Sequence, residues 1–281
     1  MSTDTQPARS GRVARLATVV ETARLSPHMI RVVLGGAGLA GFEAGAFSDH
    51  YVKLQLPAPG ARYRAPFDPE AVKASSPREH WPRTRTYSVR DWDAEQGRLT
   101  IDFVVHGSEG IAGPWAAAAR PGDTVQLSGP GGAYLPDRAA DWHLLAGDAS
   151  VLPAIAASLG RIPAGVPTIV LAEVDGPEEE LELATAGHLS LHWLHRSAEP
   201  GAEPQLLVDA LAALKLPSGD GQAFVHGEAS SVRAARRHLL VDRGLPAHRL
   251  SASGYWKCRR DEEGWREDKR EWNRLAEQDV A

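Results

Sequence analysis

Arg83-Thr84-Arg85-Thr86-Tyr87-Ser88-Val89-Arg90 begins a strand-like run, 83–92, and the segments around it decide what kind of sheet it joins. Upstream lie 13–20, 29–34 and 51–56, and downstream lie 99–105 and 124–128, short runs separated by Gly and Pro. Short strands punctuated by turn residues predict a small antiparallel barrel. One short helix interrupts it at 111–119 and stops at Arg120-Pro121-Gly122-Asp123. The stretch 58–82, rich in Pro and charge, reads as a long loop.

After residues 137–141 the rhythm changes. Strand-like runs at 143–146, 168–174, 189–194, 223–226 and 250–253 alternate with helical segments at 151–159, 205–214 and 230–243. Alternation of this kind predicts an open parallel sheet covered on both faces. Pro153 suits the first turn of its helix, and Ser230 is the expected N-cap of the last of these helices. The tail, 261–278, reads as a final helix with Trp265, Trp272 and Leu275 on one face and Glu262–Arg266 as a favourable charge pair. The expected organisation is α/β plus β: a barrel domain over 10–138, a parallel α/β domain over 142–256, and a basic segment with a helix over 257–281.

Composition narrows the chemistry. At 281 residues, 43% hydrophobic and 24% charged, the chain can bury two cores. Cys258 is the sole cysteine, so an intramolecular disulfide and a cysteine-ligated metal cluster are excluded. A redox role therefore needs a bound organic cofactor. The net charge of −5 argues against general nucleic-acid binding. No long apolar run predicts a membrane span, and the polar first dozen residues lack a signal-peptide core, which makes the cytoplasm the default location and a monomer the default state. Only five of the 31 basic residues are Lys, so each Lys is informative.

In a barrel followed by an α/β domain, an Arg-x-Tyr-Ser strand suits a flavin. Arg85 offers a fork of donors to a pyrophosphate, Tyr87 a flat face for the ring, and Ser88 a hydroxyl for its edge. The bland alternative is an edge strand with no ligand. A second run, Asp102-Phe103-Val104-Val105-His106-Gly107-Ser108-Glu109-Gly110-Ile111-Ala112-Gly113-Pro114-Trp115, carries a strand into a glycine loop and then a helix. Free N–H groups there would seat a phosphate; otherwise His106 is a strand-end residue and Trp115 a core anchor. In the second domain, Gly147-Asp148-Ala149-Ser150 makes the first strand-to-helix turn, where a dinucleotide approaches a helix N-terminus. It is not a Gly-x-Gly-x-x-Gly turn. Arg196 would welcome a 2′-phosphate, whereas Asp175, Glu178, Glu179 and Glu180 would repel one. His188, His192 and His195 look like a metal site, but strand alternation puts His195 on the face opposite the other two, so no metal is expected.

Asp49-His50-Tyr51-Val52-Lys53-Leu54, Arg85-Thr86-Tyr87-Ser88, Asp102 to Gly107, Gly110 to Trp115, Ser128-Gly129-Pro130-Gly131-Gly132, Ala146-Gly147-Asp148, Gly227-Glu228-Ala229 and Gly254-Tyr255-Trp256, in that order, resemble the siderophore-interacting protein family. That resemblance implies an FAD barrel joined to a nicotinamide-binding domain, akin to ferredoxin reductases. It implies that Arg85, Thr86, Tyr87, Ser88, His106, Gly110, Ala112 and Trp115, with His50, hold FAD. Gly147, Asp148, Ala149, Ser150 and Arg196 would meet NADPH or NADH, and a ferredoxin is an alternative electron donor. The family commonly has Glu-Thr where this chain has Ala149-Ser150. Lys53, Lys257, Arg259 and Arg260 would face an anionic ferric siderophore. The implied activity is reduction of chelated Fe(III), against the alternatives of a binding protein without reductase activity or a flavin reductase serving another acceptor.

Overall fold

The computed structural model describes residues 14–107, 110–196 and 205–280. Val13, the expected first strand residue, and the Ser108-Glu109 pair of the glycine loop lie outside these. The strands β1 (Arg15–Ser26), β2 (Met29–Gly35), β3 (Tyr51–Leu56), β4 (Arg83–Ser88), β5 (Asp91–Asp93), β6 (Arg98–Val104) and β7 (Thr124–Gly131) form a seven-stranded sheet, ordered β4-β3-β7-β1-β2-β6-β5. Every pairing in it is antiparallel. Alternation drives the curl of the sheet: Val52 and Leu54 on β3, Val32 and Leu34 on β2, and Leu99, Ile101 and Phe103 on β6 all turn into one core. Tyr87 on the edge strand β4 reaches Phe103 across that core, with ring centroids 4.3 Å apart.

Two expectations for this half need correction. The run 83–92 is not one strand. The chain leaves β3 after Ser88 and joins β6 at Asp91, so its two parts sit at opposite edges of the sheet. Nor is 58–82 all loop, because it holds helix α1 (Pro69–Ser75). Asp68 caps that helix by accepting from the Glu70 and Ala71 amides, and Pro69 presets the first turn.

The second sheet is parallel throughout: β8 (Trp142–Asp148), β9 (Pro167–Val174), β10 (His188–His195), β11 (Gly221–Glu228) and β12 (Leu250–Trp256), ordered β10-β9-β8-β11-β12. Successive residues of β8 feed opposite faces. Leu145 joins the core under α3 (Leu152–Leu159), which follows the short α2 (Ala112–Ala118) in the chain. Leu144 and Ala146 join the core under α4 (Leu206–Ala213). Strand order reverses between β8 and β11, which puts the turns after Asp148 and Glu228 at the crevice where open α/β sheets bind ligands.

The helix after β11 differs in detail from the sequence reading. α5 runs Ala229–Arg237 and passes into a wider π turn over His238–Asp242. Its cap is Glu228, whose carboxylate accepts from the Ser230 and Ser231 amides, and not Ser230. The final helix α6 (Glu262–Gln278) starts at Asp261, which accepts from the Gly264 amide. Trp265 and Trp272 bury against α5, and the Trp272 indole N–H donates to the Ala229 carbonyl at 2.8 Å.

Candidate functional site

Strand alternation divides the Arg85–Ser88 run between two faces. Arg85 and Tyr87 lie opposite Leu54 and Val52 of β3, toward the barrel core, while Thr86 and Ser88 lie opposite Lys53 and Tyr51 on the other face. Burial pushes the Tyr87 phenol above its ordinary pKa, with the charge of Glu262 acting in the same direction, so it remains protonated at neutral pH. On the second face Ser88 is buried and bonds the Tyr255 phenol, itself raised in pKa by burial. Tyr255 comes from β12 of the other sheet. Sequence reasoning quoted Gly254-Tyr255-Trp256 but gave Tyr255 no role, because the pairing exists only once the two sheets meet.

The second face continues onto α6. The Thr86 hydroxyl sits 3.4 Å from Glu262, and Arg266 donates to the Thr84 carbonyl at 3.2 Å. Arg85 reaches the same helix: Nη1 donates to Glu263 at 2.7 Å and Nη2 at 3.2 Å. Glu263 is therefore a partner of Arg85 that the sequence did not reveal. Lys269, about two turns into α6 and outside every quoted motif, is another residue that the sequence did not single out. Its ammonium donates to the Gly254 carbonyl at 3.0 Å and lies 5.8 Å from the Trp265 ring centroid. Burial lowers its pKa; Glu262 works against that and the positive charge of Lys53 adds to it. Lys53 and Lys269 thus feel one another across the domain boundary.

The remaining expected basic residues are arranged differently. Lys257 and Arg260 both bond Asp268, at 3.0 Å and 2.9 Å, so a carboxylate already offsets part of their charge. Arg259 is exposed and holds a left-handed backbone, φ 61°. With Arg233, Arg237 and Trp272, the Lys257–Arg260–Asp268 group lines a cavity of about 680 Å³ between α5 and α6.

The glycine loop leads into α2 through Gly107 (φ 56°) and Gly110 (φ 76°). Ile111, the N-cap residue of α2, makes no side-chain cap, and among the described residues no side chain accepts from its first amides. His106 is exposed at this loop, while Ala112 is buried and Trp115 packs 5.6 Å from the Phe103 ring. His50 is buried, burial lowers its pKa, and its Nε2 has no protein partner among the described residues. These groups suit a phosphate-bearing aromatic cofactor: an arginine with spare N–H groups, a helix start without a side-chain cap among the described residues, a buried imidazole with one unpartnered nitrogen and an aromatic edge strand.

At the crevice of the parallel sheet, Asp148 is saturated. It accepts from the Ser150 amide and hydroxyl at 2.9 Å and 2.6 Å, the Glu228 amide at 2.7 Å and the Trp256 indole at 2.9 Å. It holds the turn together and ties β8 to β11 and β12. Gly147 is required there, since a Cβ would lie 2.4 Å from the His226 carbonyl. Ala149, half-buried, packs on the core beneath α3. Arg196 is matched by two carboxylates, donating to Asp175 at 2.7 Å and Glu173 at 3.0 Å. Burial pushes Glu173 upward in pKa against the pull of Arg196. His195 bonds Glu180 and His192 bonds Ser190, so these histidines have separate neighbours.

Two family descriptions match consecutive parts of the chain: a siderophore-interacting FAD-binding domain over residues 18–134 and a siderophore-interacting protein over 140–259. The ferric vibriobactin reductase ViuB of Vibrio cholerae is 34% identical over 91% of this chain and 93% of its own length. The NADPH-dependent ferric-chelate reductase of Escherichia coli is 30% identical over 86% of this chain and 92% of its own. Among solved structures, the siderophore-interacting protein SipS of Aeromonas hydrophila superposes with a TM-score of 0.79 at 28% identity, covering 92% of this chain and 98% of that one.

Proposed function

Because the chain belongs to the siderophore-interacting protein family, with an FAD-binding domain in its N-terminal half, we propose that it reduces the iron of a ferric siderophore with electrons from NADPH or NADH. Two relatives are named as ferric-chelate reductases, one of them NADPH-dependent, which supports both the acceptor and the donor. The observation that carries the reading is the edge strand β4, where Arg85, Tyr87 and Ser88 meet Tyr255 and α6 of the other domain. The domains proposed to divide the work are 10–138 for FAD, 142–256 for the nicotinamide nucleotide, and 257–281 as a closing segment.

FAD supplies the step between a two-electron hydride donor and the one-electron acceptor Fe(III). The chain's own groups bind and orient. Arg85 and the amides of Gly107, Gly110, Ile111 and Ala112 would hold phosphate oxygens, with His106 and Trp115 shaping that end. Tyr87 and Ser88 would hold the ring, beside Thr86 and His50. In the Gly147–Ser150 turn the Asp148 carboxylate and the Ser150 amide are already spent on each other, so the nucleotide would approach beside Gly147 and Ala149. Lys53 and Lys269 would attract an anionic chelate, with Lys257 and Arg260, both paired to Asp268, and the exposed Arg259 at the rim. No protein nucleophile or general base is called for. Reduction weakens the hold of hard oxygen ligands on the metal, which releases it.

The test is anaerobic stopped-flow: full-length protein loaded with FAD, reduced by NADPH or NADH, then mixed with catecholate, hydroxamate and mixed chelates. Bleaching by nucleotide followed by reoxidation on mixing with at least one ferric siderophore is expected. Protein that refuses FAD, or holds flavin that no ferric chelate reoxidises, contradicts the proposal.

A further inference from the structure

Arg85 and Glu263 sit on different domains, yet their contact is bidentate and half-shielded, with side chains 15% and 29% exposed. A guanidinium has five N–H groups. Nη1 spends both of its hydrogens, one on the Thr84 carbonyl at 3.0 Å and one on Glu263 at 2.7 Å. Nη2 spends one on the other Glu263 oxygen at 3.2 Å. What remains is the Nε hydrogen and the neighbouring Nη2 hydrogen. Those two lie on one edge of the plane, which is the fork that grips a phosphate side-on.

The carboxylate therefore fixes the plane of the guanidinium while leaving one bidentate edge open. Glu263 is itself held. Asp261 caps its helix, Trp265 and Trp272 anchor that helix in the second domain, and Asp279 pairs with Arg233 at the far end. Arg83 adds a second positive charge beside it, and Glu263 stays ionised: burial works against that, but the Arg85 bond prevails.

Building on the assignment of Arg85 to the FAD phosphates, we propose that Glu263 is a positioning residue for cofactor binding. It orients the Arg85 fork toward the pyrophosphate and thereby couples FAD affinity to the docking of α6. The opposite outcome is equally concrete, because a carboxylate that merely competes with phosphate for Arg85 would weaken FAD binding and its removal would strengthen it.

The experiment titrates FAD, and separately riboflavin, which lacks phosphate, into full-length protein freed of flavin, following fluorescence quenching. The variants are Glu263→Ala, Glu263→Gln and Arg85→Ala. Positioning predicts that Glu263→Ala weakens FAD on the order of tenfold, as expected for a charge-assisted bond. Riboflavin affinity stays unchanged, and Glu263→Gln, which keeps one acceptor, recovers part of the loss. Tighter FAD binding in Glu263→Ala, no change at all, or an equal loss for riboflavin overturns the inference. A loss at Arg85→Ala with none at Glu263→Ala sinks this inference alone, whereas an unchanged Arg85→Ala removes Arg85 from the proposed FAD site as well.

Discussion

His226 is 4% exposed, stacks on Phe224 at 3.8 Å and meets the edge of Tyr255 at 5.1 Å. Burial, aided by the charge of Lys269, pushes its pKa from the ordinary 6.5 to about 3. The unfolded chain takes up a proton below 6.5 that the folded chain refuses until about 3, so this residue withdraws stability as pH falls through that window. At pH 5 the loss is about 2 kcal/mol. His226→Phe should therefore narrow the gap between urea midpoints at pH 7 and pH 5, and an equal gap would show that His226 does not titrate there. Lys53 belongs to the same scale. It shares a face with Thr86 and Ser88, on the side that meets Tyr255 and α6, and its charge reaches Lys269. Lys53→Ala should weaken binding of, or transfer to, a ferric chelate while leaving the bound-flavin spectrum unchanged. If it empties the FAD site and spares the chelate, the assignment is wrong.

At the scale of elements, Glu228 does more than end β11. One oxygen caps α5 through the Ser230 and Ser231 amides, and the other accepts from the Cys258 amide at 3.2 Å. Removing the carboxylate strands three donors, so Glu228→Ala should cost about 2 kcal/mol, read from urea unfolding. A cost no larger than that of Ser230→Ala would restore Ser230 as the cap. The sequence pointed to Ser230 because serine is a favoured cap type, and local chemistry cannot show which residue the strand delivers to the turn. Asp68-Pro69 carries a similar lesson in reverse. The cap and the proline of α1 were legible, but the surrounding prolines and charges masked a helix of seven residues. The Arg85–Ser88 run on β4 was readable as a motif. Its distribution over two faces followed only from the pairing of β4 with β3.

The two sheets of the whole molecule are clasped at several points. Glu179, 6% exposed, accepts from the Ser26 hydroxyl at 2.5 Å and the His28 amide at 3.2 Å, and its other oxygen lies 2.6 Å from His28 Nδ1. Met29 of β2 is buried in the core of the second domain, and Ser48 meets Ser158 at 2.9 Å. Glu179→Gln should destabilise the protein by about 2 kcal/mol, since a buried carboxylate with three partners is replaced by a group that cannot accept from all of them. Unchanged urea unfolding would mean that the clasp contributes nothing. Periodicity and turn residues alone determined the order of strands and helices and the change from antiparallel to parallel sheet, because strand alternation and helix spacing are local properties of the chain. The motif order also exposed the family resemblance. Glu263 against Arg85, Tyr255 against Ser88 and Lys269 beside Lys53 were decided only by tertiary structure. Each pair joins residues more than a hundred positions apart, and such contacts arise when two separately buried cores pack together, which no local pattern encodes.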